Sequence, residues 1–140
     1  MPTNGSNSHQ ANMALVQAMR DLSNSLTPLK AQFISEGKWQ AAGQIDDAQR
    51  DLLFDSTQLN AIDLTNLLTD PQAAQNLQSV TASMEQASTT IANSEANLSR
   101  IVGIVSGAAQ FVSSLSPLNA VAAGKALVGL VGLLRTPAAG

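Results

Sequence analysis

A chain of 140 residues that is 44% hydrophobic, but only 3% aromatic and 12% charged, reads as one domain built from helices, because β-structure draws on more aromatic and β-branched side chains. A formal charge of −3 argues against nucleic acid as a partner, since that would need a basic face. The absence of Cys removes disulfide frameworks and thiolate metal sites and leaves cytoplasm and non-classical export both open.

Residues 1–10, MPTNGSNSHQ, are expected to form a disordered polar tail and lack the charged and apolar regions of a cleaved signal peptide. Residues 11–136 read as a single helical domain and 137–140 as a second short tail. Thr27-Pro28, Asp70-Pro71 and Ser116-Pro117 each place an N-cap residue before a proline, whose fixed φ suits the first helical turn. Helices are therefore expected at about 12–26, 28–68, 71–115 and 118–135.

In the first segment Leu15, Met19, Leu22 and Leu26 form an apolar stripe that Leu29 and Phe33 continue beyond Pro28. A break at Pro28 is the favoured reading, with a kink in one longer helix as the alternative. The second segment has Ile45, Leu52 and Leu59 at sevens, with Ala48 and Ile62 between them. Gly37 and Gly43 weaken its beginning, so a break or kink is expected there.

The third segment carries the clearest pattern. Leu77, Met84, Ile91, Leu98, Val105 and Val112 recur every seven residues, and Val80, Ala87, Ser94, Ile101, Ala108 and Leu115 follow each by three. Only Ser94 among these twelve is not apolar, which predicts a coiled-coil seam along a helix of about 65 Å. Because LTDPQ is too short for anything but a reversal, the fold class expected is all-α: an elongated antiparallel hairpin of two long helices, with the short flanking helices forming a bundle at one end.

Charge is uneven along this shape. Residues 36–70 hold seven acids against two bases, while the segments on either side are each weakly basic, a polarity suited to head-to-tail contacts. Asp47, Asp51 and Asp55 recur every four residues and read as a solvated face screened by Arg50, a cation or a partner's Arg and Lys being the alternative. His9, the single histidine, reads as a tail residue with nothing to orient it. Trp39 reads as packed against a neighbour at a helix irregularity, with an exposed partner anchor as the alternative. Phosphate-binding, zinc-protease and serine-nucleophile motifs are all missing, so no enzymatic activity, metal or cofactor is expected.

The last third is the most apolar. Gly103 and Gly107 make a GxxxG pair away from the seam, and Ile104 and Phe111 add apolar surface on the flank. Residues 118–134 are apolar nearly all round, with Gly124, Gly129 and Gly132 letting neighbours approach and Val128 between them. Seventeen residues span about 26 Å, short of a bilayer core, and Lys125 near the middle opposes insertion.

A hairpin has too little interior for all this surface. The leading expectation is therefore a non-enzymatic structural protein that forms homo-oligomers, such as a filament, shell or export-related subunit, through Gly103, Ile104, Gly107, Phe111, Gly124, Val128, Gly129 and Gly132. In composition, the Ala/Ser/Gln/Asn-rich helices resemble those of bacterial exported filament and translocator proteins. Two alternatives stand beside the leading one: a membrane-active protein inserting residues 101–134, and an intracellular adaptor or chaperone-like bundle that binds another helical protein.

Overall fold

Among the described residues, six helices and one 3-10 turn follow one another: α1 (Asn4–Ser25), α2 (Thr27–Ser35), α3 (Trp39–Asn60), the turn Leu67–Thr69, α4 (Pro71–Thr90), α5 (Leu98–Ser113) and α6 (Ala120–Arg135). They come from a computed structural model, which describes residues 4–90, 98–115 and 118–135, and side-chain surroundings for residues 9–89, 98–115 and 118–134. The helices pack as an all-helical bundle, with no β-strand among the described residues. No described helix is long and apolar enough to cross a membrane.

Helix α1 begins at Asn4, inside the stretch that composition reads as a disordered tail, and His9 is an exposed residue upon it. Asn12 is buried, and its side-chain amide donates to the carbonyls of Leu59 at 2.7 Å and Ile62 at 2.8 Å, satisfying acceptors freed at the end of α3. Farther along, Ser23 and Gln49 exchange side-chain-to-backbone hydrogen bonds of 3.1 and 2.8 Å, so α1 and α3 run antiparallel, clamped at both ends.

Pro28 interrupts the helix by only one residue. Leu26 keeps right-handed helical angles, φ −80 and ψ −11, and its carbonyl accepts from Lys30 N–H at 3.0 Å. The stripe from Leu15 to Phe33 stays buried across this kink. The true break comes at Gly37, whose φ of +74 ends α2 with Lys38 N–H bonded back to Phe33 at 2.8 Å. A left-handed residue closing a helix in this way suits glycine, which has no Cβ to clash. Asp70 caps α4, accepting from Gln72 N–H at 3.0 Å, as the Asp-Pro pair implies. At α6 the cap is Asn119, which accepts from Ala122 N–H at 3.1 Å; Ser116-Pro117 lies outside the described residues, as do Ile91, Ser94 and residues 137–140.

The expected hairpin does not form from residues 28–68 and 71–115. Helix α3 packs on α1, α2 and α5, while α4 packs on α1 and α6, so α3 meets the second arm through α5, and α3 and α4 share α1 as a neighbour instead of pairing along their lengths. Helix α5 is antiparallel to α6: Arg100 reaches the Leu133 carbonyl at 3.0 Å near one end, and Leu115 pairs with Leu118 at the other. The N-terminal halves of α4 and α6 lie together, both helices running the same way. Helices α4 and α5 thus point in opposite directions, and the six-heptad register belongs to two helices, not one.

The physical reason is that a heptad stripe requires burial but does not name its partner. Leu77, Val80, Met84 and Ala87 on α4, Ile101, Val105 and Val112 on α5, and Leu115 just beyond it are all buried, with Leu98 packed at the margin. They fill one core enclosed by a closed circuit of neighbours, α1, α3, α5, α6 and α4.

Candidate interaction surface

Within that circuit the α5/α6 pair separates the residues expected to mediate self-association into two sets. Ile104 and Phe111 are fully buried core side chains, and Gly103 and Gly107 lie half-buried beneath α6. A Cβ built on Gly107 would come within 2.9 Å of Leu130 Cδ2, whereas one on Gly103 would meet Leu133 at an ordinary 3.8 Å. The GxxxG pair is therefore used inside the chain, to seat α6 on α5, and Ile104 and Phe111 belong to the core.

This contrast predicts opposite outcomes. Gly107→Ala forces Leu130 to move and destabilises the fold by about 1–2 kcal/mol. Gly103→Ala gains helix propensity without a clash and stabilises it by about 0.5–1 kcal/mol. Urea denaturation of the two variants checks the pair; equal shifts of one sign would refute the close approach at Gly107.

The second set faces outward. On α6, Gly129 and Gly132 are exposed and Gly124 is half-buried, and a Cβ at any of the three would meet nothing within 4 Å. Val121 is 69% and Val128 61% exposed, on the same side of the helix as exposed Lys125. Lys125 has no ion-pair or hydrogen-bond partner among the described residues. Val121, Lys125 and Val128, with Gly124, also form one wall of a groove of about 500 Å³ between α4 and α6, opposite Asp70, Ala73 and Asn76. Val121, four residues before Lys125 as Val128 is three after, belonged to the expected apolar segment but was not singled out by its spacing to the glycines.

Arg100 fixes the far end of this pair. Its guanidinium donates to the last carbonyls of α6, at Leu133 and Leu134, where a cation also complements the helix dipole.

Across α5 lies a second groove, of about 360 Å³, against α3. Gln44, Asp47 and Asp51 form its acidic rim, and Val102 and Ala109 with Ser106 form the other side; Val102 is 41% exposed. Arg50 bridges Asp46 at 2.6 Å and Asp47 at 3.2 Å, and Lys30 also holds Asp46 at 2.7 Å. The Lys30 hydrogen bond, with Arg50 after it, keeps the Asp46 carboxyl below its ordinary pKa. Asp51 is exposed and has no such partner among the described residues.

The acidic run is not one solvated face. Asp55 is only 5% exposed, its Oδ2 has no hydrogen-bond partner, and burial, then the Asp51 charge, pushes its carboxyl up to about 6. Trp39 departs from expectation in the opposite direction. It is 69% exposed at the start of α3, not packed against a neighbour. Leu53 and Phe54, also exposed on α3, were not anticipated.

No group of three or more His, Cys, Asp or Glu side chains able to hold a metal ion occurs among the described residues. Comparison of the chain with protein-family models, with curated proteins and with solved structures finds no match.

Proposed function

We propose that the protein is a non-enzymatic helical structural subunit that self-assembles through the outer face of α6. The observation that carries this reading is the pairing of Val121 and Val128, mostly in solvent, with open space over Gly124, Gly129 and Gly132. Two valines left exposed two helical turns apart keep an apolar strip in water, and its burial recovers about 1–2 kcal/mol per side chain. Glycines beside the strip let a second backbone come close, as Gly107 already lets α6 approach α5.

The test is the double change Val121→Glu and Val128→Glu, with mass followed by light scattering. The unchanged chain is expected to associate as concentration rises and the variant to remain a monomer of unchanged helicity, because neither side chain supports the core. A chain that serves as a helical adaptor would be monomeric with or without the substitutions, which would remove the self-assembly reading.

A further inference from the structure

Lys125 and Asp51 are exposed charges of opposite sign, each without a hydrogen-bond or ion-pair partner among the described residues, and they lie on different sides of the α5/α6 pair. Each sits in an apolar setting of similar length. On α6 the ridge Val121, Lys125, Val128 spans seven residues, about 10 Å; on α5 the groove wall from Val102 to Ala109 also spans seven residues, about 10 Å. Ridge and groove are complementary in sign as well as in length. Helix α6 contains no acid, and the α3 rim offers Asp47 and Asp51 one helical turn apart.

We infer that the occupant of the acidic groove between α3 and α5 is a second copy of this chain, which inserts the Val121–Lys125–Val128 ridge of its α6. The inference rests on the self-assembly reading and specifies the surface that receives the ridge. The valines cover Val102 and Ala109, and the Lys125 ammonium lies against the carboxylate of Asp51, with Asp47 a turn away and already shared with Arg50. Opposite-sign surfaces of this kind set orientation and exclude the reverse docking. Since the ridge and the groove are different patches, the contact is heterologous. Each added copy leaves one ridge and one groove free, so assembly continues into an open filament or closes into a ring.

Charge reversal tests both the contact and its polarity. Asp51→Lys and Lys125→Glu are changes at exposed positions, and circular dichroism verifies that each variant folds. Each alone places like charges at the contact and is expected to weaken assembly by at least about tenfold. An equimolar mixture of the two restores it, because every contact between unlike variants is again of opposite sign. Light scattering of the separate and mixed variants gives the result. If the unchanged chain assembles and Asp51→Lys assembles equally well, the groove is not the receiving surface and the ridge pairs elsewhere, for instance with its own kind. If the unchanged chain stays monomeric at every concentration, both this inference and the self-assembly reading fall.

Discussion

Replacing Asp55 by Asn raises the stability of the folded chain at pH 7 by about 2 kcal/mol and flattens its dependence on pH. Burial places the carboxyl in a low-dielectric setting with Oδ2 unpartnered, and the charge of Asp51 one turn away adds repulsion, so its pKa rises from 3.8 to about 6. Between those values the native state holds a proton that the unfolded chain has released. The contribution of Asp55 to stability is therefore fully present below about pH 4 and is lost as the pH rises through 6. The full shift corresponds to about 3 kcal/mol. Solvent and salt weaken the share due to exposed Asp51, leaving about 2 kcal/mol.

Asp46 acts in the opposite direction. Its carboxyl is held low by Lys30 and Arg50, so its contribution is present above the ordinary value of 3.8 and is lost as the pH falls below it. The two windows barely overlap, which isolates the Asp55 effect. Urea unfolding at pH 4.5 and 7.5 measures it. The unchanged chain should be less stable at the higher pH and Asp55→Asn nearly equal at both. A variant less stable than the unchanged chain at pH 7 would mean that Asp55 has a compensating partner.

The second large effect is expected at Phe111. Its side chain is fully buried in the core, and truncation to Ala costs about 3–5 kcal/mol, through lost transfer free energy and the cavity left behind. Domains of this size are commonly stable by about 5–15 kcal/mol, so such a loss leaves the variant marginal or unfolded. Val128→Ala, on the outer face of α6, should change monomer stability by no more than about 0.5 kcal/mol. Thermal unfolding at a concentration low enough to keep the chain monomeric compares them. Similar midpoints for the two would place Phe111 outside the core.

That pair also marks where sequence reading stops. Both residues belonged to the apolar excess of the C-terminal region, and periodicity alone could not assign one inward and the other outward. The stripe positions themselves were legible: the described seam residues on α4 and α5 are buried or packed against the core. Continuity of the helix was not legible, because a seven-residue count passes through a change of chain direction without losing register. Proline and glycine marked boundaries more faithfully. Asp70-Pro71 starts α4, and the Gly37 irregularity is the break between α2 and α3.

For Asp55 a usable signal existed. It stands seven residues after Ala48 and seven before Ile62, at the intermediate position of the α3 stripe, so the same spacing that buries Ala48 buries the carboxylate. Its place four residues after Asp51 and eight after Asp47 suggested a shared surface, but Asp55 is buried while the other two are exposed. The glycines held the subtler ambiguity. GxxxG on α5 and the three glycines of α6 look alike in sequence, yet Leu130 already fills the space over Gly107, while among the described residues a Cβ on Gly124, Gly129 or Gly132 would meet nothing within 4 Å. Whether a glycine serves a neighbour within the chain or one outside it depends on tertiary placement.

Self-assembly through the open face of α6 is the central claim, and sedimentation equilibrium of the unmodified full chain from micromolar to near-millimolar concentration tests it most directly. The weight-average mass is expected to climb with concentration to multiples of 14.5 kDa. A mass that stays at 14.5 kDa across the whole range would contradict it.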